Sequence, residues 1–280
     1  MESIRVTVLI ENEAVPDSGL RTEHGLSFFV EADGQCGLFD TGQSDALTEN
    51  AERLGIDLCS IDWIVLSHGH YDHTGGLEAV LRLGDRPRVI VHPEVWVPKY
   101  AKDRDGDMRF IGVSTEASVV KDRASLEESP VPVQISESVM TTGEVARTTS
   151  YEVPASRFVT KQAGAFSADS FRDDQGLILK TANGIVVLLG CAHAGAVNTL
   201  EHVLQLTSAE HIHAVIGGMH LAAASAERIA RTVEACRRHR IDYIGLCHCT
   251  GGPAVAAFER ELPGQSVKCP AGTVLEFGVE

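Results

Sequence analysis

The residues most able to do chemistry lie together in Ser67-His68-Gly69-His70-Tyr71-Asp72-His73-Thr74-Gly75-Gly76-Leu77. The pattern H-x-H-x-D-H sets three imidazoles and one carboxylate within six residues. Neutral imidazole and carboxylate together suit zinc, iron or manganese. Alternate side chains of an extended segment point the same way, so His68 and His70 can meet one ion. Asp72 and His73 follow at the turn into the next element. As direct neighbours they point apart, and can serve two ions, or one ion and its supporting hydrogen bonds. Gly75 and Gly76 let the backbone turn closely beneath the cluster. One such histidine alone would more simply be a satisfied core or surface residue. Four donors at this spacing, behind the apolar run Ile61–Leu66, point to a metal centre.

Further reactive residues fall just after apolar runs that read as strands. Asp40 stands in Phe39-Asp40-Thr41-Gly42; its bland role is to cap a turn, its functional one to ligate or to orient a metal-bound imidazole. Cys191 and His193 stand in Gly190-Cys191-Ala192-His193-Ala194-Gly195. Cys191 is a candidate thiolate ligand, set against the frequency of buried structural cysteines. His220, which ends Gly217-Gly218-Met219-His220, is a further candidate metal ligand, as is His193, and His248 lies between Cys247 and Cys249. C-x-C alone is a weak metal signal, so His248 is placed beside the ligands, in a supporting or substrate role. Asp173 or Asp174, ahead of another strand, could ligate, and Asp173 is taken as the candidate. His24 in Glu23-His24-Gly25 is a candidate pocket residue. His92, His202, His211, His213 and His239 read as ordinary.

The elements that must hold these residues alternate between strand and helix. Ile4–Ile10, Leu26–Glu31 and Gly37–Asp40 read as strands, the last two turned at Asp33-Gly34. Ser44–Leu54 reads as a helix, with Ser44 as N-cap and Gly55 as stop. After the motif come a helix over 74–83 and a strand over 88–92. Leu177–Leu179 and Ile185–Leu189 form a hairpin at Asn183-Gly184. Then follow a helix over 197–206, a strand at 214–216, a helix over 226–239, a strand over 241–246, a helix over 254–262 and a strand over 273–277. This alternation predicts a layered α/β fold. The two halves echo each other as strand, histidine-rich turn, helix, which suits a pseudo-symmetric αββα sandwich. The expectation is a single domain over 1–280, with an irregular insertion around 93–168 that covers the substrate or simply loops through solvent.

Bulk properties bound the function. A chain of 280 residues, 44% hydrophobic, is an ordinary globular sequence. The net charge of −15 argues against nucleic-acid binding, which needs a basic surface. It still permits a small anionic substrate, because a metal ion reverses the local charge. No run approaches the roughly 20 apolar residues of a membrane span. The start, Met1-Glu2-Ser3-Ile4-Arg5-Val6, has no signal-peptide pattern, so the expected location is cytoplasmic. Seven cysteines, without C-x-x-C, do not read as a disulfide framework.

With these motifs in hand, the chain resembles the metallo-β-lactamase superfamily. H-x-H-x-D-H after an apolar strand is that superfamily's main signature, and Phe39-Asp40-Thr41-Gly42 matches its preceding aspartate motif. Within it, Glu23–Ser27, Thr142-Gly143-Glu144-Val145, Gly190–Gly195, Gly217–Leu221 and His248-Cys249-Thr250-Gly251 resemble the branch that includes the 7,8-dihydropterin-6-yl-methyl-(ribofuranosyl)aminobenzene phosphate synthases. The resemblance implies a four-layer αβ/βα sandwich with two divalent metal ions at one edge, zinc first, manganese or iron as alternatives. It implies that His68 and His70 hold the first ion, and Asp72 and His73 the second. Two departures stand out. Gly190-Cys191 occupies the place of a usual Gly-Asp, and the usual separate third-motif histidine is missing, with Asp173 or His193 as its substitute.

The leading expectation is a metal-dependent hydrolase acting on an ester, phosphoester or related bond of a small molecule, with Asp72 as the catalytic residue that orients or deprotonates water. The branch resemblance offers group transfer by a dihydropterin-phosphate-type synthase as the alternative. A non-catalytic metal-bearing ligand sensor is the third reading.

Overall fold

The computed structural model describes residues 3–278, and the two residues at each end lie outside that range. Two mixed sheets pack face to face. The first runs in the order Val274–Gly278, Ser3–Ile10, Ser27–Ala32, Gln35–Phe39, Trp63–Val65, Arg88–Val91, Ser125–Glu128. The second runs Ser266–Lys268, Tyr243–Leu246, Ile212–Gly217, Gly184–Leu189, Leu177–Thr181, Val139–Thr141. Val6, Phe28, Phe39, Trp63 and Val65 of the first meet Leu177, Leu179, Val186, Leu188 and Ile216 of the second in one buried core.

Each outer face is covered by helices. Ala46–Arg53, Leu77–Leu83 and Ala117–Arg123 cover the first sheet through Leu47, Val80 and Val120. Ala196–Thr207, Ala226–Arg238 and Gly252–Glu261 cover the second through Leu200, Val233 and Phe258. The helices are amphipathic in the required sense: Ile229, Val233 and Cys236 lie on one buried stripe. The result is the four-layer αβ/βα sandwich expected from the sequence. Among the described residues, no helix is long and apolar enough to cross a membrane.

Local signals explain much of this layout. Asp33 and Gly34 both adopt positive φ, 54° and 71°, which is what a two-residue hairpin of the right twist requires. The helix after the motif is split: Tyr71–Thr74 is one turn, Gly75-Gly76 interrupts it, and Leu77–Leu83 continues. At Gly75 and Gly76 an added Cβ would run into backbone oxygens of Gln43 and Thr41. Ser44 precedes a helix that begins at Ala46, and its hydroxyl accepts from the Ala46 N–H at 3.1 Å.

The middle segment is more ordered than its composition suggests. Ser125–Glu128 extends the first sheet and Val139–Thr141 the second. Lys99–Lys102, Met108–Phe110, Phe158–Gln162 and Ala165–Ala168 form a separate four-stranded antiparallel sheet. Its Phe158 reaches the histidine-rich edge of the sandwich.

Candidate metal centre

Parallel strand pairing brings the reactive residues to one edge. Gln35–Phe39 and Trp63–Val65 are parallel neighbours, so Asp40 and the His68 motif emerge side by side. In the other sheet Gly184–Leu189, Ile212–Gly217 and Tyr243–Leu246 are successive parallel neighbours. Their ends release Cys191, His220 and His248 onto the same rim. Asp40, Ala192, His220 and His248 all take left-handed backbone, φ 48–64°. Such conformations in residues other than glycine cluster where a scaffold re-aims side chains for function.

Two groups of donors result. His68, His70 and His193 form one; Asp72, His73, Cys191 and His248 form the other, with the donor atoms of each group within 4.8 Å of one another. Cys191 also groups with His193 and His220, and so lies between the two sets. Within the first, His68 Nε2 faces His70 Nδ1 at 3.0 Å, and the His193 ring centre is 4.8 Å from each of theirs. Within the second, His73 Nε2 faces Cys191 Sγ at 3.2 Å, and Asp72 Oδ2 lies 3.3 Å from His248 Nε2. Further along, His24 Nε2 is also 3.3 Å from Asp72 Oδ2, at the mouth, with its side chain 58% exposed.

A shell of hydrogen bonds fixes these side chains. Asp40 Oδ2 accepts from His73 Nδ1 at 2.6 Å and from Ser67 Oγ at 2.6 Å, and Asp40 Oδ1 accepts from Ser67 N at 2.7 Å. Ser67 Oγ also contacts His68 Nδ1 at 2.9 Å. Asp40 thus turns His73 so that Nε2 points at Cys191, the carboxylate–imidazole arrangement that commonly backs metal ligands. Asn12 Oδ1 holds His248 Nδ1 at 2.9 Å, and Glu11 accepts from the His248 backbone N–H. Phe171 stacks on His193 at 4.2 Å with planes 7° apart.

The donor chemistry fits divalent cations. His70 Nε2, His193 Nε2, His220 Nδ1 and His248 Nε2 are buried and have no hydrogen-bond partner among the described residues. A buried polar atom left unpaired costs about 1–3 kcal/mol, so four at one edge need an occupant. Burial, with mutual repulsion, holds His68, His70 and His193 well below the usual imidazole range, and therefore in the neutral, ligating form. Burial pushes Asp72 up, but His73, His248 and His70 outweigh it and keep the group ionised. For His73 burial pulls down, while Asp40 and Asp72 raise it to about 9.

Asp173 is the correction to the sequence reading. It does not join either group. One of its oxygens accepts from Gly69 N at 2.8 Å and the other from Lys99 Nζ at 3.0 Å, with Asp169 on the same lysine at 3.1 Å. Asp173 therefore ties the backbone between His68 and His70. His193, the other candidate, is the third member of the His68–His70 group. His248 stands among the donors, closer in than its expected supporting place. Asp174 is also outside the groups; its Oδ2 accepts from Ala194 N at 2.9 Å, and burial raises it to about 7. His211, His213 and Asp242 meet at the opposite end of Ile212–Gly217, on the surface, where the two imidazoles bond one carboxylate oxygen.

Sequence reasoning missed Ser67, Lys99 and the wall opposite the histidines. Ser67 had a signal, as the last residue before the motif. The wall had none: Arg109, Ile111, Arg157 and Phe158 come from the middle segment and line a cavity of about 360 Å³ with His24, Asp72, His193, His220 and His248.

Comparison with known proteins identifies the family. The family model described as the metallo-beta-lactamase superfamily matches residues 20–154. The 7,8-dihydropterin-6-methyl-4-(beta-D-ribofuranosyl)-aminobenzene-5'-phosphate synthase of Methanocaldococcus jannaschii is 28% identical over 99% of this chain and 98% of its own. An uncharacterised protein of the same organism is 31% identical over 89% of this chain and 92% of its own. The crystal structure of Tm1679, a metal-dependent hydrolase of the beta-lactamase superfamily, is 32% identical, covers 98% of this chain and 99% of its own, and superposes with a TM-score of 0.86.

Proposed function

Because the chain belongs to the metallo-β-lactamase superfamily, we propose that its histidine-rich edge is a binuclear metal centre hydrolysing an ester, phosphoester or related bond of a small molecule. The observation that carries the reading is the pair of adjoining donor groups, each with an imidazole nitrogen that forms no hydrogen bond among the described residues. His68, His70 and His193 would hold one ion; Asp72, His73, Cys191 and His248 the other. Zinc suits this mixture of imidazole, carboxylate and thiolate best. Two such ions, when bound, acidify water and polarise a scissile carbonyl or phosphoryl bond.

The chain's own residues supply the remainder. Asp72 orients the attacking water, and the more exposed His24, 3.3 Å from its carboxylate, takes the proton and passes it to solvent. His220, with an unpartnered Nδ1 and its ring 4.2 Å from that of His193, faces the same cavity and orients the leaving group. Asp40 keeps His73 in one tautomer throughout. The net charge of −15 argues against non-specific binding of nucleic acid. The test is a panel of esters, lactones, thioesters and phosphodiesters with metal-replete protein and with Asp72→Asn. Turnover lost in the variant supports the reading, and a metal-replete protein inert on the whole panel contradicts it.

Group transfer is the second reading, favoured by the full-length similarity to the M. jannaschii synthase. Product analysis separates the two. A coupled product from a dihydropterin phosphate donor and a ribofuranosylaminobenzene phosphate acceptor means transfer; free hydrolysed donor means hydrolysis.

A further inference from the structure

The wall facing the histidines carries charge that no carboxylate among the described residues pairs. Arg109 lies in Met108–Phe110 and Arg157 immediately precedes Phe158–Gln162, so both belong to the separate four-stranded sheet. Both are exposed and both line the metal-site cavity. Many other arginines pair with carboxylates, Arg5 with Glu276, Arg88 with Glu127 and Arg172 with Glu94 and Glu144; Arg104, Arg123 and Arg240 have no such partner among the described residues, but none of them lines this cavity. Among the described residues, neither Arg109 nor Arg157 has a salt-bridge partner or a side-chain hydrogen bond. Asp72 is the single carboxylate in the cavity lining, and it is already surrounded by His24, His73 and His248.

Aromatic rings hold the two guanidinium groups in place. Arg109 lies over Tyr71 at 5.6 Å and Arg157 over Phe158 at 4.5 Å. Tyr71 is part of the metal motif itself. Phe158 touches His70, His193 and His220, with ring centres 5.5, 5.5 and 5.8 Å apart. Each cation is therefore one ring away from the candidate ligands. Stacking restricts a guanidinium while leaving its N–H edge free, which suits bidentate capture of an oxyanion. Two such forks match a group carrying about two negative charges, as a phosphate monoester does near neutrality.

We propose that Arg109 and Arg157 form a two-armed clamp for a dianionic phosphate group of the substrate, away from the bond that is cleaved. The clamp makes these two residues the determinants of specificity, and it rests on the reading of the cavity as the substrate site. It also gives the middle segment a role: it carries substrate selection, while the sandwich carries the metal donors.

Metal-replete full-length protein is titrated calorimetrically with inorganic phosphate, alongside Arg109→Gln, Arg157→Gln, the double variant and Arg157→Lys. Both arginines are exposed, so the variants should fold; melting curves and metal content, unchanged from wild type, establish that. Each single Gln substitution should weaken phosphate binding about tenfold or more, the usual worth of a hydrogen bond to a charged group. The double variant should show no saturable binding, and Arg157→Lys should retain part of it. Phosphate bound equally well by the double variant would place the anion on the metals alone and overturn the clamp. So would the absence of phosphate binding by the wild type. If the hydrolysis panel fails while the double variant still loses phosphate, the hydrolase reading falls and the clamp stands. If turnover is found but the double variant binds phosphate normally, the reverse holds.

Discussion

Removal of Asp173 tests how the metal motif is held from beneath. Asp173 and Lys99 are 1% and 2% exposed, so neither can be rescued by solvent. Truncation to alanine deletes two contacts at once. The Gly69 N–H, at 2.8 Å, loses its acceptor, and an orphaned buried donor costs about 1–3 kcal/mol. Lys99 keeps Asp169 but loses its second carboxylate, and breaking a buried pair outright costs roughly 3–5 kcal/mol, of which half is reasonable here. The sum is about 3–5 kcal/mol, or a fall in Tm of about 10 °C for a chain of this size. Asp173→Asn keeps an acceptor for Gly69 and should lose only about 1–2 kcal/mol. Lys99→Met should be as damaging as Asp173→Ala, because two buried carboxylates then face each other without a cation. Thermal melts of these variants, with the exposed Asp105→Ala as control, measure the differences directly. If Asp173→Ala melted with the control, or if the asparagine variant were as damaged as the alanine one, the assignment of Asp173 as the anchor of Gly69 would be refuted.

Three further outcomes follow from the same geometry. Asp40→Asn removes the charge that orients His73 and should weaken metal binding about 10–100-fold in a chelator competition, with the fold intact; unchanged affinity would separate Asp40 from the centre. Gly190→Ala would drive a methyl group into Ser67 and to 3.0 Å from Asp40 Oδ2, costing about 1–3 kcal/mol in a denaturation curve and loosening the metals; a neutral result would mean the Ser67–Asp40 contact tolerates displacement. For Asp33, burial pushes up, but Ser136 and Ser138 outweigh it and hold the carboxylate below its ordinary 3.8. A depressed carboxylate stabilises above its unfolded value and stops doing so as pH falls through the folded one. The stability gap between wild type and Asp33→Ala should therefore be constant near neutrality and narrow below pH 3.8, as read by urea denaturation across the acid range; a gap that widens on acidification would contradict the sign.

The parts of the fold legible in the sequence were those written locally. Asp33-Gly34 and Asn183-Gly184 each join strands that pair as the turn requires, because two residues of turn chemistry fix both twist and register. The metal motif was legible for the same reason, with its four donors inside one six-residue stretch. What local pattern could not supply was direction. Asp173 and His193 were both candidates for one place, and only the long-range pairing shows Asp173 turned towards Lys99 while His193 meets His68. His248 was visible as a residue, yet its place among the donors depends on three parallel strands that lie side by side though distant in the chain. Arg109 and Arg157 belong to short, mostly exposed strands, where neither hydrophobic period nor turn signal marks a site.

The central claim is that two ions occupy the two donor groups, and elemental analysis of purified protein tests it most directly. Wild-type protein should carry about two zinc, manganese or iron ions per chain, as two-metal sites do. His193→Ala and His248→Ala should each lose one, from the His68–His70 group and the Asp72–His73 group respectively. A single ion in the wild type, or a full complement in both variants, would contradict the binuclear centre described above.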